Sequence, residues 1–224
     1  MTTRAVRDTV SMALGVSGAV SLYGISFGAL AVASGLDFWQ TQVLSLFMFS
    51  GGSQFAVIGL AAAGAPGGSI ITAAGLLGIR NGLYAVRMSS VVGVGFFKRL
   101  LAGQWTIDES TAVAIAQTEP RAQRIGFWLT GAAIYVGWNS MTALGALLGD
   151  ALGDPRQWGL DAAAAAAFLG LIWPRLHSRQ PIAVAAVAAV VTVVAVPVAP
   201  AGIPILIAAA AGIAMALFAE RKHA

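Results

Sequence analysis

The chain of 224 residues has no cysteine, two histidines and few charges, with Asp, Glu, Lys and Arg together making up 10%. Without cysteine there are no disulfides, thiol nucleophiles or thiolate metal sites. His177 and His223 stand apart in short polar segments, which argues against a histidine metal cluster. No Gly-x-x-x-x-Gly-Lys-Ser/Thr run is present to cradle a nucleotide. A Ser-His pair, a His-Glu-x-x-His motif and paired mid-segment aspartates are also missing, so no enzyme activity and no cofactor are expected. A soluble domain carries about 25% charged residues, and far fewer cannot give a water-facing surface its polar cover.

What is abundant is apolar: 58% of the residues, with a mean hydropathy of +0.82. The solvent for most of this surface is therefore lipid, and the net charge of +4 reads as charge at segment ends rather than a nucleic-acid stripe. Measured against the roughly 20 apolar residues that cross a bilayer, the chain divides into seven hydrophobic segments: 10–33, 41–63, 68–97, 125–148, 159–173, 181–197 and 203–219. The expected fold is an all-α polytopic membrane helical bundle, one domain over 1–224, with one segment broken or re-entrant. The first run is too long for a signal-peptide core and six more follow it, so cleavage is not expected.

Charge placement sets orientation. Lys98, Arg99, Arg121 and Arg124 read as inside, as do Arg175, Arg179, Arg221 and Lys222, which puts the C-terminus in the cytoplasm. Arg4 and Arg7 place the N-terminus inside as well, so an even number of crossings must precede residue 98. Ser50-Gly51-Gly52-Ser53-Gln54 and Gly64-Ala65-Pro66-Gly67-Gly68 interrupt helices, and part of 41–79 is expected to be re-entrant or built of half-helices. The competing arrangement has an outside N-terminus and three plain crossings.

Three groups of residues suit a transport site. At the 50–54 break, the freed amides of Gly51 and Gly52, the hydroxyls of Ser50 and Ser53 and the amide of Gln54 suit a carboxylate and an ammonium in a dry site. The bland reading is close helix contact through small residues. Arg80, Tyr84 and Arg87 share one helix face with Asn81 beside them. Intramembrane arginine is costly and marks a pathway, a partner charge or a substrate site. Arg80 is the stronger candidate, paired with a substrate carboxylate or with Asp37, Asp108 or Asp161. Thr106-Ile107-Asp108-Glu109 reads as a capping box, Thr106 capping and Glu109 returning the bond, at the start of a helix to about Gln117. Its two carboxylates suit a gate or proton relay at the inner mouth.

Trp128, Tyr135, Trp138, Trp158 and Trp173 suit interfacial belts, although Trp138 and Asn139 fall mid-segment and are, with Tyr23, Phe27 and Phe55, candidates for a cavity lining. Gly24 with Gly28, and Gly145, Gly149 and Gly153, repeat every four residues and favour close helix crossings, one of them open to a partner subunit. Together these features point to alternating access around the 50–54 break. Arg80 takes the carboxylate, Ser53 and Gln54 bond the polar groups, and Tyr84 closes a wall. The alternatives are a channel or transporter for another small solute, or a structural membrane subunit.

The chain resembles the AzlC family of large exporter subunits. The matching elements are Tyr23-Gly24-Ile25-Ser26-Phe27-Gly28, Gly35-Leu36-Asp37, Phe49-Ser50-Gly51-Gly52-Ser53-Gln54-Phe55, Arg80 with Tyr84, and Asp108-Glu109. It departs where the family shows Asn two residues before the arginine and His just after it; Gly78 and Asn81 stand there. The resemblance implies export of branched-chain amino acids across a prokaryotic cytoplasmic membrane, driven by protons, with a small AzlD-type membrane partner.

Overall fold

The computed structural model describes residues 3–93, 95–152, 157, 169, 172, 173, 176–200 and 203–221. Among these the regular structure is helical and no strand occurs: α1 Thr3–Leu22, α2 Gly24–Ala33, α3 Phe38–Phe47, α4 Gly51–Ala62, α5 Gly67–Val92, α6 Phe96–Trp105, α7 Asp108–Ile115, α8 Pro120–Leu152, α9 Arg179–Ala195 and α10 Ile203–Arg221. Large apolar side chains such as Phe96, Phe97, Val86 and Val193 are exposed. Hydroxyls and amides such as Thr9, Ser45, Gln54, Thr130 and Thr142 are buried. These polar groups share the core with apolar side chains such as Phe27, Phe127 and Ile134, and the large exposed apolar surface is the one expected where the outside is lipid.

The scaffold is a parallel pair. Interrupted only at Tyr23, α1 and α2 run alongside α8: Gly126 lies by Thr9, Gly137 by Ser21, Gly145 by Ile25 and Gly149 by Ala29. Residue numbers rise together, so the first helices and α8 point the same way. The glycines make this approach possible, because a Cβ at Gly28 would collide with the Thr142 carbonyl and one at Gly145 with that of Ile25. The four-residue glycine repeat is thus spent inside the chain rather than offered to a partner. Gly153 lies outside the described residues.

Helix α5 runs the opposite way. Its end meets the start of α8, where Arg124 Nε donates to the Val91 carbonyl at 3.0 Å. Near its start, Ala74 meets Ser53 of α4, which packs at the level of Trp138 in α8. Since α2 ends beside the far end of α8 and α5 starts from that same end, α3 and α4 enter and leave on one side. They form a hairpin broken at 48–50. The pair α6 and α7 forms a second hairpin from the other side. It starts beside the end of α5 near Val92 and reaches Gly131 and Tyr135 through Trp105, then returns so that Val113 meets Gly126 and Gln117 meets Thr9. Half-helices of 8 to 12 residues are about 12–18 Å long, roughly half a bilayer core.

The chain direction is the one the even-crossing reading requires, and the broken part of 41–79 is the α3–α4 hairpin, residues 38–62, rather than any of α5. Two expectations change. The third segment, read as 68–97, stops at Val92, and Phe96 opens a separate helix. Among the described residues two helices are long and apolar enough to cross a membrane, Ala5–Ala33 and Gly67–Val92. Longer still is α8, but polar Asn139, Ser140 and Thr142 interrupt its middle, and α4, α9 and the apolar part of α10 are shorter. A count of seven spanning segments is not reached on this measure, and segment 159–173 and Asp161 fall almost wholly outside the described residues.

Single cysteines at Lys98 and Thr118 should be labelled by an impermeant maleimide from the same face of membrane vesicles, and one at Ala63 from the opposite face. Labelling of all three from one face would refute the opposed hairpins.

Candidate functional site

Each hairpin tip leaves backbone groups that its own helix cannot satisfy. At the first tip, α3 closes at Met48 and Ser50 is extended (φ −150°, ψ 100°) before α4 begins. Gln54 covers the gap: its Nε2 donates to the carbonyls of Met48 at 2.7 Å and Ser45 at 3.3 Å, and its Oε1 accepts from Trp138 Nε1 at 3.0 Å. The Leu46 carbonyl accepts from Gln104 Nε2 at 2.7 Å and Tyr135 Oη at 3.3 Å. Gln54 is fully buried and its bonding positions are used by the protein, so it braces the break instead of facing a solute.

Ser53 Oγ donates to the Ala74 carbonyl at 3.0 Å, tying α4 to α5, and Ser50 Oγ donates to Ser53 Oγ at 3.3 Å. No side chain caps the start of α4, and its first turn holds no acidic residue.

The second tip is built differently from the expected capping box. Thr106 Oγ1 donates back to the Ala102 carbonyl at 2.6 Å and ends α6. The cap of α7 comes from Ser110, whose Oγ accepts from the Ile107 amide at 3.1 Å and donates to the Trp105 carbonyl at 2.7 Å. Glu109 returns no bond to Thr106. Freed from capping, Asp108 faces α5, where its carboxylate meets Arg80 Nη2 at 2.8 Å and Tyr84 Oη at 2.8 Å. Two carboxylates, Asp108 and Glu109, occupy the first turn of α7, where the helix dipole favours them. Glu109 makes no ion pair among the described residues.

Of the three acidic residues considered for Arg80, the structure brings Asp108 to it; Asp37 instead caps α3, accepting from the Gln40 amide at 2.8 Å. Arg80 Nε and Asn81 Oδ1 are buried without a partner. Arg87 is exposed.

Between the tips and α5 lies a cavity of about 600 Å³. Its walls are aliphatic, from Leu44, Met48, Val57, Ile70 and Ile71, and its polar groups, Ser50, Ser53, Asn81 and Gln104, lie toward the meeting point of the tips. Arg80, Tyr84 and Gln54 are not in its lining. The aromatic residues expected to line a cavity form a closed core instead. Tyr23 meets Trp138 edge-on at 4.8 Å, Phe27 meets Phe55 at 5.5 Å, and Phe27, Phe55 and Trp138 are buried. Asn139 bonds back to the Tyr135 carbonyl in its own helix at 2.7 Å. Buried Trp138 is also no interfacial anchor, and Trp128 and Tyr135 pack around Trp105. Trp158 lies outside the described residues. Gln104 and Tyr135 were not expected at the site. Their only signal in the sequence is a lone amide in an otherwise amphipathic stretch and a tyrosine inside an apolar run.

The family model described as AzlC protein matches residues 16–152, which covers both hairpins, Arg80 and the whole of α8. The chain belongs to the AzlC family. No curated protein and no solved structure matches it. The AzlC family is transporter-associated rather than enzymatic, and with the long apolar helices it marks this chain as a membrane protein with a transport-related role.

Replacing Gln54 with Leu should lower thermal stability in detergent, because it strands the Met48 carbonyl and Trp138 Nε1 at about 1–3 kcal/mol each. Arg80→Ala and Asp108→Asn should each destabilise more than the double variant, since either single change leaves a half-buried charge or polar group unmatched. Additive melting shifts would argue against the pair.

Proposed function

We propose that this AzlC-family chain is a secondary transporter that exports branched-chain or related aliphatic amino acids across the cytoplasmic membrane. The cavity carries this reading: an aliphatic chamber of about 600 Å³ with a small polar end, held between two broken helices. Discontinuous helices that meet near mid-membrane are the usual setting of a transporter site.

The first turn of α4 supports the placement of a carboxylate. Its amides carry the positive end of a helix dipole, and no acidic side chain answers it. The corresponding turn of α7 already holds Asp108 and Glu109. Ser53 and Asn81 flank the carboxylate, Ser50 completes the turn, and Leu44, Ile70 and Ile71 take the branched side chain. In this conformation Asp108 occupies Arg80, so the expected bond from Arg80 to substrate is replaced. Arg80 and Tyr84 hold the second hairpin against α5 through Asp108, and that contact opens and closes during transport.

Proton coupling fits the charge balance, with Arg80 matched by Asp108 and Glu109 left over to carry a proton. In this reading the N- and C-termini and the tip-distal ends of α6 and α7 face the cytoplasm, where the basic residues cluster. A small membrane subunit of the AzlD type is the proposed partner.

Proteoliposomes containing the chain, with and without that subunit, should exchange labelled leucine against internal leucine or valine. Cells lacking it should accumulate free valine or leucine when fed the corresponding dipeptides. Absence of counterflow with unchanged efflux in cells would falsify the export reading.

A further inference from the structure

The polar end of the cavity has a wall that belongs to neither α4 nor α5. Gly103 and Gln104, at the tip of the second hairpin, bound it on the side toward the start of α8. Helix α6 buries little against the rest of the chain: Ala102 is its one buried residue, while Phe96, Phe97 and Leu100 are exposed. Its tip is secured by Trp105 packed on Gly131 and by the 2.7 Å bond from Gln104 Nε2 to the Leu46 carbonyl of the opposing hairpin. That bond joins the two tips directly. We infer that Gln104 is the inner gate of the cavity, a latch whose release lets the second hairpin draw away and opens the polar end toward the α7–α8 turn.

Three observations make this residue suited to the role. The acceptor keeps a second donor, Tyr135 Oη, so Leu46 is not stranded when Gln104 leaves and the open state carries no unpaired carbonyl. The amide lines the cavity, so a solute's polar groups compete for the same donor. One neutral hydrogen bond is also weak enough to break in each transport cycle, and it parts together with the Arg80 and Tyr84 bonds to Asp108 when the hairpin draws away. Gln104 is a positioning residue: it acts by holding a wall in place.

The chain has no cysteine, which permits a direct test. The substitution Gly78→Cys would place a Cβ 3.9 Å from Ser53 Oγ, an ordinary contact at the polar end of the cavity. Modification of the introduced thiol by an impermeant reagent is then followed in vesicles of each orientation, with Gly78→Cys alone as the parent. Gln104→Leu removes the donor. Gln104→Glu keeps the size and polarity and, assayed at a pH high enough to ionise it, presents a carboxylate that cannot donate. Both should speed modification of that thiol about five- to tenfold, the equilibrium value of one such bond, and only from the face that also labels a cysteine at Thr118. Tyr135→Phe, which leaves Gln104 in place, should change it little.

Equal rates in Gln104→Leu, Gln104→Glu and the parent, or acceleration from the opposite face, would overturn the gate. The inference rests on the transporter reading for its meaning, but the readout does not use transport. A chain that fails leucine counterflow yet shows this one-sided acceleration rejects the substrate and keeps the gate, and the reverse pattern rejects the gate alone.

Discussion

A helix that stops inside an apolar medium leaves its last carbonyls without donors, and no water is present to supply them. In this chain the carbonyls of Ser45, Leu46 and Met48 are answered by Gln54, Gln104 and Tyr135, drawn from α4, α6 and α8. The first break exists because those donors reach it. Trp138 in turn satisfies the remaining oxygen of Gln54 and sits in the aromatic cluster with Tyr23, Phe27 and Phe55. The aromatic core and the broken backbone are thus one construction, with the tryptophan serving both.

The second hairpin solves the same problem locally. Thr106 and Ser110 bond to backbone within five residues, so its tip needs less from neighbours and its carboxylates remain free for other work. Asp108 is spent on Arg80 and Tyr84 of α5, a helix with no buried residue between Ala74 and Met88. For that stretch, polar contacts replace apolar cover, which is why the arginine is tolerated at mid-helix.

Several of these features were legible in the chain. The small-residue run 50–54 marked the first break because glycine and serine are where a helix opens, and charge parity required an interruption before residue 98. The pairing of Arg80 was narrowed to a substrate carboxylate or one of three acidic residues, and only folding could choose among them. The second break was hidden. Thr106-Ile107-Asp108-Glu109 contains no glycine and imitates an ordinary capping box. Half-helices such as α6 fail a yardstick of about 20 residues, and Lys98 and Arg99 made theirs read as a polar loop. Tyr23, Phe27, Phe55 and Trp138 come from three separate helices and the turn between α1 and α2, and their spacing along the chain carries no information on whether they enclose space or fill it.

The glycine contacts between α2 and α8 have a mechanical consequence. Around Gly28 and Gly145 the two helices touch backbone to backbone, and no side chain is there to rearrange. Toward the other end the ties are side chains, the apolar cluster of Met88, Val91, Val92 and Phe127 with the hydrogen bonds of Thr9 to Gln117 at 2.8 Å and of Arg124 to Val91, and side chains can repack where backbone-to-backbone contact cannot. Stiffness is therefore graded along the bundle: one end behaves as a welded joint and the other as a set of clasps. Motion that leaves the fold intact concentrates at the clasped end, the end on which the second hairpin is mounted.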